Sequence, residues 1–221
     1  MADIVLAVDA PRSGSIPVAV GIGSVVRIPI PGAHGLCLEL SPRGWMPPGG
    51  STSALFIQDI SGKRTLRLDY GYNVKTKTVD FHWNQAGTFG EFGIADHAPA
   101  GSAGEALYRG AKYFKYGGRV LLVVGAAVDV YSIVVSSQPL RQTTKVVAGW
   151  AGAWAGCEAG GAGGAALGTF VAPGAGTAVG GLLGCAAGGF IGYEGSSYAA
   201  GRLYDWADGT VFTKVPVSQT R

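Results

Sequence analysis

A ladder of glycines near the C-terminus constrains the fold of this chain more than any other feature of its sequence. Glycine recurs at every fourth residue in two series that are related by a mirror centred on Ala172. Because an α-helix has about 3.6 residues per turn, this period places each series in a nearly continuous strip along one helix face. The members are Gly152, Gly156, Gly160, Gly164 and Gly168 in the first series, and Gly176, Gly180, Gly184, Gly188 and Gly192 in the second.

The two strips predict a helical hairpin whose arms pack backbone against backbone. Residues 171–175 include Pro173 and Gly174 and are typical of a turn between the arms. In an exposed helix in water each glycine would cost about 1 kcal/mol relative to alanine, so another interaction must stabilise this segment. Small residues with this spacing let helices approach closely in membranes. The sequence therefore predicts a glycine-zipper hairpin over residues 146–201.

The segments that carry the ladder contain almost no charge. Residues 146–171 and 176–201 each run for 26 residues with a single charged side chain, and residues 120–140 hold one charge in 21 residues. A bilayer hydrocarbon core is about 30 Å thick, so helices of these lengths reach across it. The end of the hairpin away from the turn is rich in aromatic side chains, as an interfacial belt would be. These are Trp150, Trp154, Tyr193 and Tyr198.

Three isolated acids interrupt the apolar segments: Asp129, Glu158 and Glu194. A charge at the bilayer centre costs about 2.5–3.5 kcal/mol on insertion scales, so such acids are normally functional or paired. In one interpretation the three acids line a water-filled path in an assembly of several chains. In the other, which we favour for each acid, they lie at helix ends or pair with Arg141, Lys145 or Arg202.

The first hundred residues have the pattern of a β domain. Short runs rich in valine, isoleucine, leucine and aromatic residues alternate with turns rich in glycine and proline, which is typical of a small sandwich or barrel. We expect the last two runs to pair as a hairpin. The predicted strands cover residues 3–8, 18–30, 36–40, 53–60, 65–70 and 78–83.

The composition changes at residues 98–102, and this change divides the chain in two. Residues 1–100 are predicted to form a small antiparallel β domain that docks, shields or binds a partner, and residues 101–221 a helical membrane-active region, so that the fold class is α+β. The first part carries eight acidic and eight basic side chains, and the whole formal charge of +3 lies in the second. This excess is too small and too scattered to indicate nucleic-acid binding.

The helical region is expected to begin with a capping box formed by Ser102 and Glu105. On the helix that follows, Lys112, Lys115 and Arg119 are predicted to share one face. Such a helix either lies at a bilayer surface with its basic side chains towards lipid phosphates, or packs on the β domain as an ordinary amphipathic helix. Both interpretations stay open.

The cysteines fit no metal-binding spacing, and we expect neither a metal nor a cofactor. Cys157 and Cys185 lie beside ladder glycines on opposite arms of the predicted hairpin. A disulfide between them is one alternative. Free cysteines that act as small core residues are the interpretation we favour.

A catalytic alternative rests on one cluster of side chains. Asp80 and His82 alternate on a predicted strand and therefore point to the same side, and Asp96 and His97 follow a short distance later. A carboxylate, a histidine and a second Asp–His pair suit a metal-dependent hydrolase or nuclease. The spacing matches no specific motif, and such residues beside glycine-rich turns more often form hydrogen bonds within turns. We therefore favour a protein that is not an enzyme.

A glycine-zipper hairpin behind a compact β domain resembles the membrane-active toxin domains of bacterial polymorphic toxins and of effectors of contractile, type VI-like secretion systems. Residues 80–85, with Asp96–His97 and residues 111–116, are also similar to C-terminal toxin regions of such proteins. The resemblance implies delivery into a rival cell, permeabilisation of its membrane and a cognate immunity protein.

These observations predict a secreted bacterial effector toxin that inserts its hairpin into a target-cell membrane and permeabilises it as an oligomer. The N-terminus begins with Met1–Ala2–Asp3 and lacks the basic region of a signal peptide, so we expect secretion without one. A delivery spike or chaperone is then a further expected partner. The remaining alternative is a passive membrane anchor or structural envelope protein, which would bind membranes without making them leak.

Overall fold

The structure is a computed structural model that describes residues 15–40 and 52–211. Within these residues the chain is α+β, with an antiparallel sheet followed by long helices. The first predicted strand, at residues 3–8, lies outside the described residues.

The sheet has six strands that pair in sequence order, β1 to β6, and every pair is antiparallel. One side of it buries leucine and isoleucine side chains, including Leu38, Leu55, Ile57, Leu66 and Leu68. The strands are Ile28–Pro29 (β1), Cys37–Glu39 (β2), Thr52–Gln58 (β3), Thr65–Asn73 (β4), Thr78–Ala86 (β5) and Ala98–Pro99 (β6).

The prediction of a sandwich or barrel is wrong, because the sheet is open and its second layer is helical. A sandwich would need a second sheet to cover the apolar side. Here Leu38 and Leu66 point towards the C-terminal helices instead: a Cβ built on Gly181 would lie 2.8 Å from Leu38 Cδ2, and one on Gly174 would lie 3.4 Å from Leu66 Cδ2. The predicted hairpin is confirmed, since β4 and β5 pair continuously from Thr65–Ala86 to Asn73–Thr78.

Residues 18–30 were predicted as one strand, and this is wrong over most of their length. Helix α1 covers Ser15–Gly23, and only the two residues of β1 are extended. Val18 and Ile22 lie four residues apart on the buried side of α1, which packs against the C-terminal helices. A short apolar run fits a buried helix and a buried strand equally well by periodicity, and here the helical neighbours decide.

Three long helices follow the sheet: α3 at Gly101–Val135, α4 at Pro139–Val171 and α5 at Ala175–Val211. A short helix, α2 at Phe89–Phe92, precedes them between β5 and β6. The predicted capping box is not formed, because the residue that caps α3 is Ala100 and Ser102 already lies in the first turn. Helices of 33 to 37 residues are about 50 to 55 Å long at 1.5 Å per residue.

Helices α4 and α5 form the predicted hairpin, and one side of it lies on the rest of the protein. The half nearer the turn contacts the sheet and the segment before β6: a Cβ on Gly161 would lie 2.7 Å from Ile28 Cγ2 of β1, and one on Gly174 would lie 2.6 Å from Ile94 Cδ1. Further along, a Cβ on Gly189 would lie 2.8 Å from the Cβ of Ala19 in α1. The turn of the hairpin therefore rests on the β part of the protein.

Candidate functional site

The glycine ladder is the contact surface between the two arms. A Cβ built on Gly164 would lie 2.1 Å from the carbonyl oxygen of Gly180, and one built on Gly180 would lie 2.1 Å from that of Gly164. At such distances only hydrogen fits, so the backbones themselves are in contact. The same reciprocal contact joins Gly152 with Gly192, Gly156 with Gly188, Gly160 with Gly184, Gly164 with Gly180, and Gly168 with Gly176.

The two cysteines of the hairpin form a disulfide, so the prediction of free thiols is wrong. Cys157 and Cys185 are fully buried, and their Cα atoms are 3.7 Å apart. The neighbouring glycines Gly156 and Gly184 have no side chains to hold the arms apart. The arms are therefore joined covalently near the middle of the hairpin.

The turn between the arms is closed by a small hydrogen-bond network. Gly174 has a φ of 80°, a left-handed conformation that favours glycine. Its backbone N–H donates to Thr177 Oγ1 at 3.2 Å, and the hydroxyls of Thr169 and Thr177 are 2.6 Å apart. Thr177 therefore caps the first turn of α5 and also ties that turn to the end of α4.

The outer surface of the hairpin is apolar and exposed. Near the turn, Phe170 is 92% exposed and Leu167 is 74% exposed. At the other end, Trp154 and Tyr198 are exposed as an interfacial belt requires, but Tyr193 is buried and does not belong to it. Further exposed apolar side chains on the arms are Val147, Val171, Leu183, Phe190, Ile191 and Leu203.

The second half of α3 also exposes an apolar surface. Val123 and Val134 are 70% and 76% exposed. Two helical segments, Gly101–Val135 and Ala175–Thr210, are long and apolar enough to cross a membrane by length and composition. Only 22% and 33% of their most apolar stretches are buried, so most of that surface is not used for internal packing.

The first half of α3 differs from its predicted arrangement. Lys115 is buried, together with Tyr108, Ala111 and Gly118, whereas Lys112 and Arg119 are exposed. These four buried residues are three or four positions apart and so form one stripe that faces the body of the protein. The three basic side chains therefore do not form a single exposed face.

Asp129 is the only one of the three apolar-segment acids that is deeply buried, at 3% exposed. Its Oδ2 accepts a hydrogen bond from Trp150 Nε1 at 2.8 Å, and its Oδ1 accepts one from the Tyr193 hydroxyl at 3.0 Å. Asp129 thus joins α3 to both arms of the hairpin. A second link joins α3 to α4, since Gln142 Nε2 donates to Ser132 Oγ at 2.9 Å.

The other two acids lie elsewhere on the hairpin. Glu158 is exposed on α4, and Glu194 is half-buried on α5. The interpretation that Asp129 pairs with a basic residue is wrong, because its hydrogen-bond partners are the Trp150 indole and the Tyr193 phenol. Arg141 instead forms a bidentate pair with Asp205, at 2.7 and 2.9 Å.

Residues 137–195 match the family model of the C13G5.2-like glycine zipper domain. The match covers the ladder and the turn, so this part of the chain is a glycine-zipper region. No curated protein and no solved structure shows a significant match to the chain. The glycine-zipper region and the two apolar helices are compatible with membrane insertion.

The cluster considered for catalysis is partly assembled. His82 Nδ1 and Asp80 Oδ1 are 2.9 Å apart, and Asp80 also accepts hydrogen bonds from Thr76 and Asn73. Burial would raise the pKa of Asp80, but the hydrogen bonds from Thr76, Asn73 and His82 together hold that pKa below its usual value. Asp80 is therefore ionised near neutral pH and orients the imidazole of His82.

His97 lies beside this pair, with ring centroids of His82 and His97 5.7 Å apart. Asp96 lies beside His97, with Oδ2 3.5 Å from His97 Nε2, and its Oδ1 accepts a hydrogen bond from the backbone N–H of Gln85 at 2.9 Å. His97 has a φ of 55°, as turn residues do. His82 is 0% exposed, and no group of three or more metal-ligating side chains occurs in residues 15–40 and 52–211. In this conformation a substrate does not reach the imidazole.

Proposed function

We propose that this protein is a secreted bacterial effector that inserts its helical region into a target-cell membrane and permeabilises it. The observation that carries the proposal is the division of the hairpin surface. Its inner strips are closed on each other by backbone contact, while its outer surface exposes large apolar side chains such as Phe170, Leu167 and Ile191.

This division suits a lipid environment for a physical reason. Extended apolar patches on a protein surface are unfavourable in water and are typical of interfaces with membranes or other proteins. Between helices in lipid the hydrophobic effect is lost, and association depends on close van der Waals packing of small residues. The paired glycines supply that packing, so the hairpin can remain closed when lipid replaces water around it.

The conformation described here corresponds, in this proposal, to the state before insertion. The turn rests on Ile94 and Leu66, and Asp129 holds α3 against the arms. Insertion with the turn first requires that these contacts open. The β part then has a defined role as a cover for one side of the hairpin, and it offers a surface to a delivery spike, a chaperone or a cognate immunity protein.

The proposal is tested with liposomes and two pairs of substitutions. The purified protein is mixed with dye-filled vesicles, and flotation with lipid and release of dye are measured together. Gly160→Ile and Gly184→Ile insert a large side chain between the arms, whereas Gly163→Ile and Gly195→Ile add it where no atom lies within 4 Å. We expect leakage from the wild type and the two controls, and strongly reduced leakage from the ladder variants.

Three other results would redirect the proposal. Full leakage from the ladder variants would contradict the glycine zipper as the active element. Flotation without leakage from any variant would favour a passive anchor. A lack of both would exclude a membrane role for this form of the protein and leave a soluble, partner-bound one.

The secretion context is a separate part of the proposal and rests on the resemblance to effector toxins. It is tested by expressing the chain in a bacterium and following membrane potential with a voltage-sensitive dye. A toxin of this kind should depolarise cells before growth stops, and oligomer formation should appear as discrete crosslinked species in the membrane fraction. Growth at the normal rate, with the protein in the membrane, would contradict toxicity.

A hydrolase or nuclease toxin is the second candidate, favoured by the hydrogen bond between Asp80 and His82. Substitution of both residues by alanine separates the two proposals. If toxicity is lost while vesicle binding and leakage are unchanged, the toxic activity is enzymatic. If toxicity is retained, the cluster has a structural role in the β4–β5 hairpin.

A further inference from the structure

A half-open cavity of about 430 Å³ lies between the sheet and the first half of α3. Its inner wall consists of Tyr70 from β4, Phe81 from β5 and Tyr108 from α3. The ring centroids are 4.6 Å apart for Tyr70 and Phe81 and 5.4 Å apart for Phe81 and Tyr108. The cavity is within the size range of small-molecule sites, which is about 300–1,000 Å³.

The aromatic wall is fixed in place by its surroundings. The Tyr108 hydroxyl donates a hydrogen bond to Thr52 Oγ1 at 2.7 Å, which joins α3 to the first residue of β3. Tyr108 is 8% exposed, whereas Tyr70 is 44% exposed and presents part of its ring to the cavity. Such ring faces attract cations, and quaternary or primary ammonium groups are the ligands for which grouped aromatic rings are best suited.

The remaining wall carries charges of both signs from one side of α3. Glu105 contacts Arg109 Nε at 2.9 Å and Nη2 at 2.8 Å, and the exposed Lys112 lies one turn further along. The three side chains leave a net charge of one positive unit at the cavity. A carboxylate beside aromatic rings suits an ammonium group, and Arg and Lys together suit a phosphate.

We propose that this cavity binds the headgroup of a zwitterionic phospholipid, in which an ammonium group and a phosphate are joined by a short linker. The ammonium group lies against Tyr70 and Phe81 and is attracted by Glu105. The phosphate accepts hydrogen bonds from Arg109 and Lys112. This inference rests on the proposed membrane function, which supplies the lipid.

The position of the cavity along α3 agrees with a lipid source if α3 enters a membrane. Tyr113 and Tyr116 form its rim, at 76% and 56% exposed, and Arg119 is the last charge before the apolar half of the helix. Tyr116 is about 6 Å along the axis from Val120, where that half begins. If residues 120–135 lie in hydrocarbon, the cavity is at the depth of the headgroups, where tyrosines are enriched in membrane proteins.

The first experiment measures binding of soluble headgroups by isothermal titration, with intrinsic tyrosine fluorescence as a second readout. The probes are phosphocholine, phosphoethanolamine, choline and inorganic phosphate. We expect phosphocholine or phosphoethanolamine to bind about tenfold more tightly than choline or phosphate alone, because both halves of the site are then occupied. Equal affinity for inorganic phosphate would overturn the inference, because the aromatic wall would then contribute nothing.

Matched substitutions locate the binding. Tyr70→Ala and Lys112→Ala should each weaken binding of the preferred headgroup about tenfold. Tyr72→Ala and Lys63→Ala serve as controls, since both residues are exposed on the β part and neither lines the cavity. Circular dichroism shows whether each variant is folded. Unchanged affinity in the folded Tyr70 and Lys112 variants would overturn the inference.

Vesicles then distinguish a lipid from a free phosphorylated amine. Wild-type protein should float with phosphatidylcholine or phosphatidylethanolamine vesicles, float less with vesicles of an anionic lipid that lacks the amine, and be displaced by millimolar phosphocholine. Soluble headgroups that bind without affecting flotation would overturn the assignment to lipid. Flotation with every lipid, equal for wild type and variants, would overturn the site while leaving the proposed function intact.

Discussion

Two adjacent glycines of α4 isolate the contribution of the zipper to stability. Gly164 belongs to the ladder, and a Cβ built on it would lie 2.1 Å from the carbonyl oxygen of Gly180. Gly163 is exposed, and a Cβ built on it would meet no atom within 4 Å. Gly164→Ala and Gly163→Ala therefore add the same methyl group to the same helix, once between the arms and once into solvent.

The expected difference follows from the distances. Ordinary contact begins at 3.4 Å, so the arms must separate by 3.4 − 2.1 = 1.3 Å at Gly164, and the opposing atom is rigid backbone. Overpacking of this kind costs about 1–3 kcal/mol, and we take the upper value because no side chain can move aside. Both variants gain about 1 kcal/mol of helix propensity, which cancels in the comparison. Gly164→Ala should therefore be about 3 kcal/mol less stable than Gly163→Ala.

Thermal unfolding followed by circular dichroism at 222 nm measures this difference. For a protein of 221 residues, 1 kcal/mol corresponds to about 2–4 °C in Tm, so the two variants should differ by about 6–12 °C. Gly163→Ala should lie slightly above the wild type. If Gly164→Ala is as stable as Gly163→Ala, the arms are not in backbone contact and the argument fails.

Three further perturbations have defined outcomes. Cys185→Ser should lower the free energy of unfolding by about 3–4 kcal/mol, because the disulfide closes a loop with a sequence separation of 28. In chemical unfolding, a reductant should lower the stability of the wild type by the same amount and leave that of the variant unchanged. Asp129→Ala should cost at least about 3 kcal/mol, since Trp150 and Tyr193 would both be left without a hydrogen-bond acceptor, while Asp129→Asn should cost less. Tryptophan emission should report the altered environment of Trp150. Finally, the pKa of Asp80 in the folded protein lies below its ordinary value of 3.8. The Asp80 carboxylate therefore stabilises the fold above about pH 4, and this stabilisation is lost as the pH falls through the lower pKa of the folded state. The urea midpoint of the wild type should fall more steeply below about pH 5 than that of Asp80→Asn.

The hairpin was predictable because its determinants are local and repeated. A period of four residues, a mirror centre and a turn containing Pro173 and Gly174 together specify which glycine meets which. The pairing of Gly152 with Gly192 and of Gly168 with Gly176 depends on nothing outside this segment. The strands β4 and β5 were predictable for the same reason, since alternation and a short connection are local properties.

Other features depend on contacts between distant segments, and their residues carry no local signal. Residues 18–22 are helical because α3 and the hairpin surround them, and Lys115 is buried because it falls in the stripe of α3 that faces the body of the protein. The open sheet follows from the hairpin acting as its second layer. The partners of Asp129 come from two other helices, 21 and 64 residues away in sequence, so an isolated acid indicated a special role without identifying it.

The disulfide changes which contacts must open if the hairpin enters a membrane. Cys157 and Cys185 join the arms near their middle, and five pairs of glycines hold them along their length, so α4 and α5 move as one body. The contacts that remain to be broken are those of the turn and the arms with the sheet and α1, and those of α3 with the hairpin through Asp129 and Ser132. These contacts lie on one side of the hairpin, whereas the contacts within it run along both arms and include a covalent bond. Insertion by release of an intact hairpin is therefore less costly than insertion of its arms one after the other.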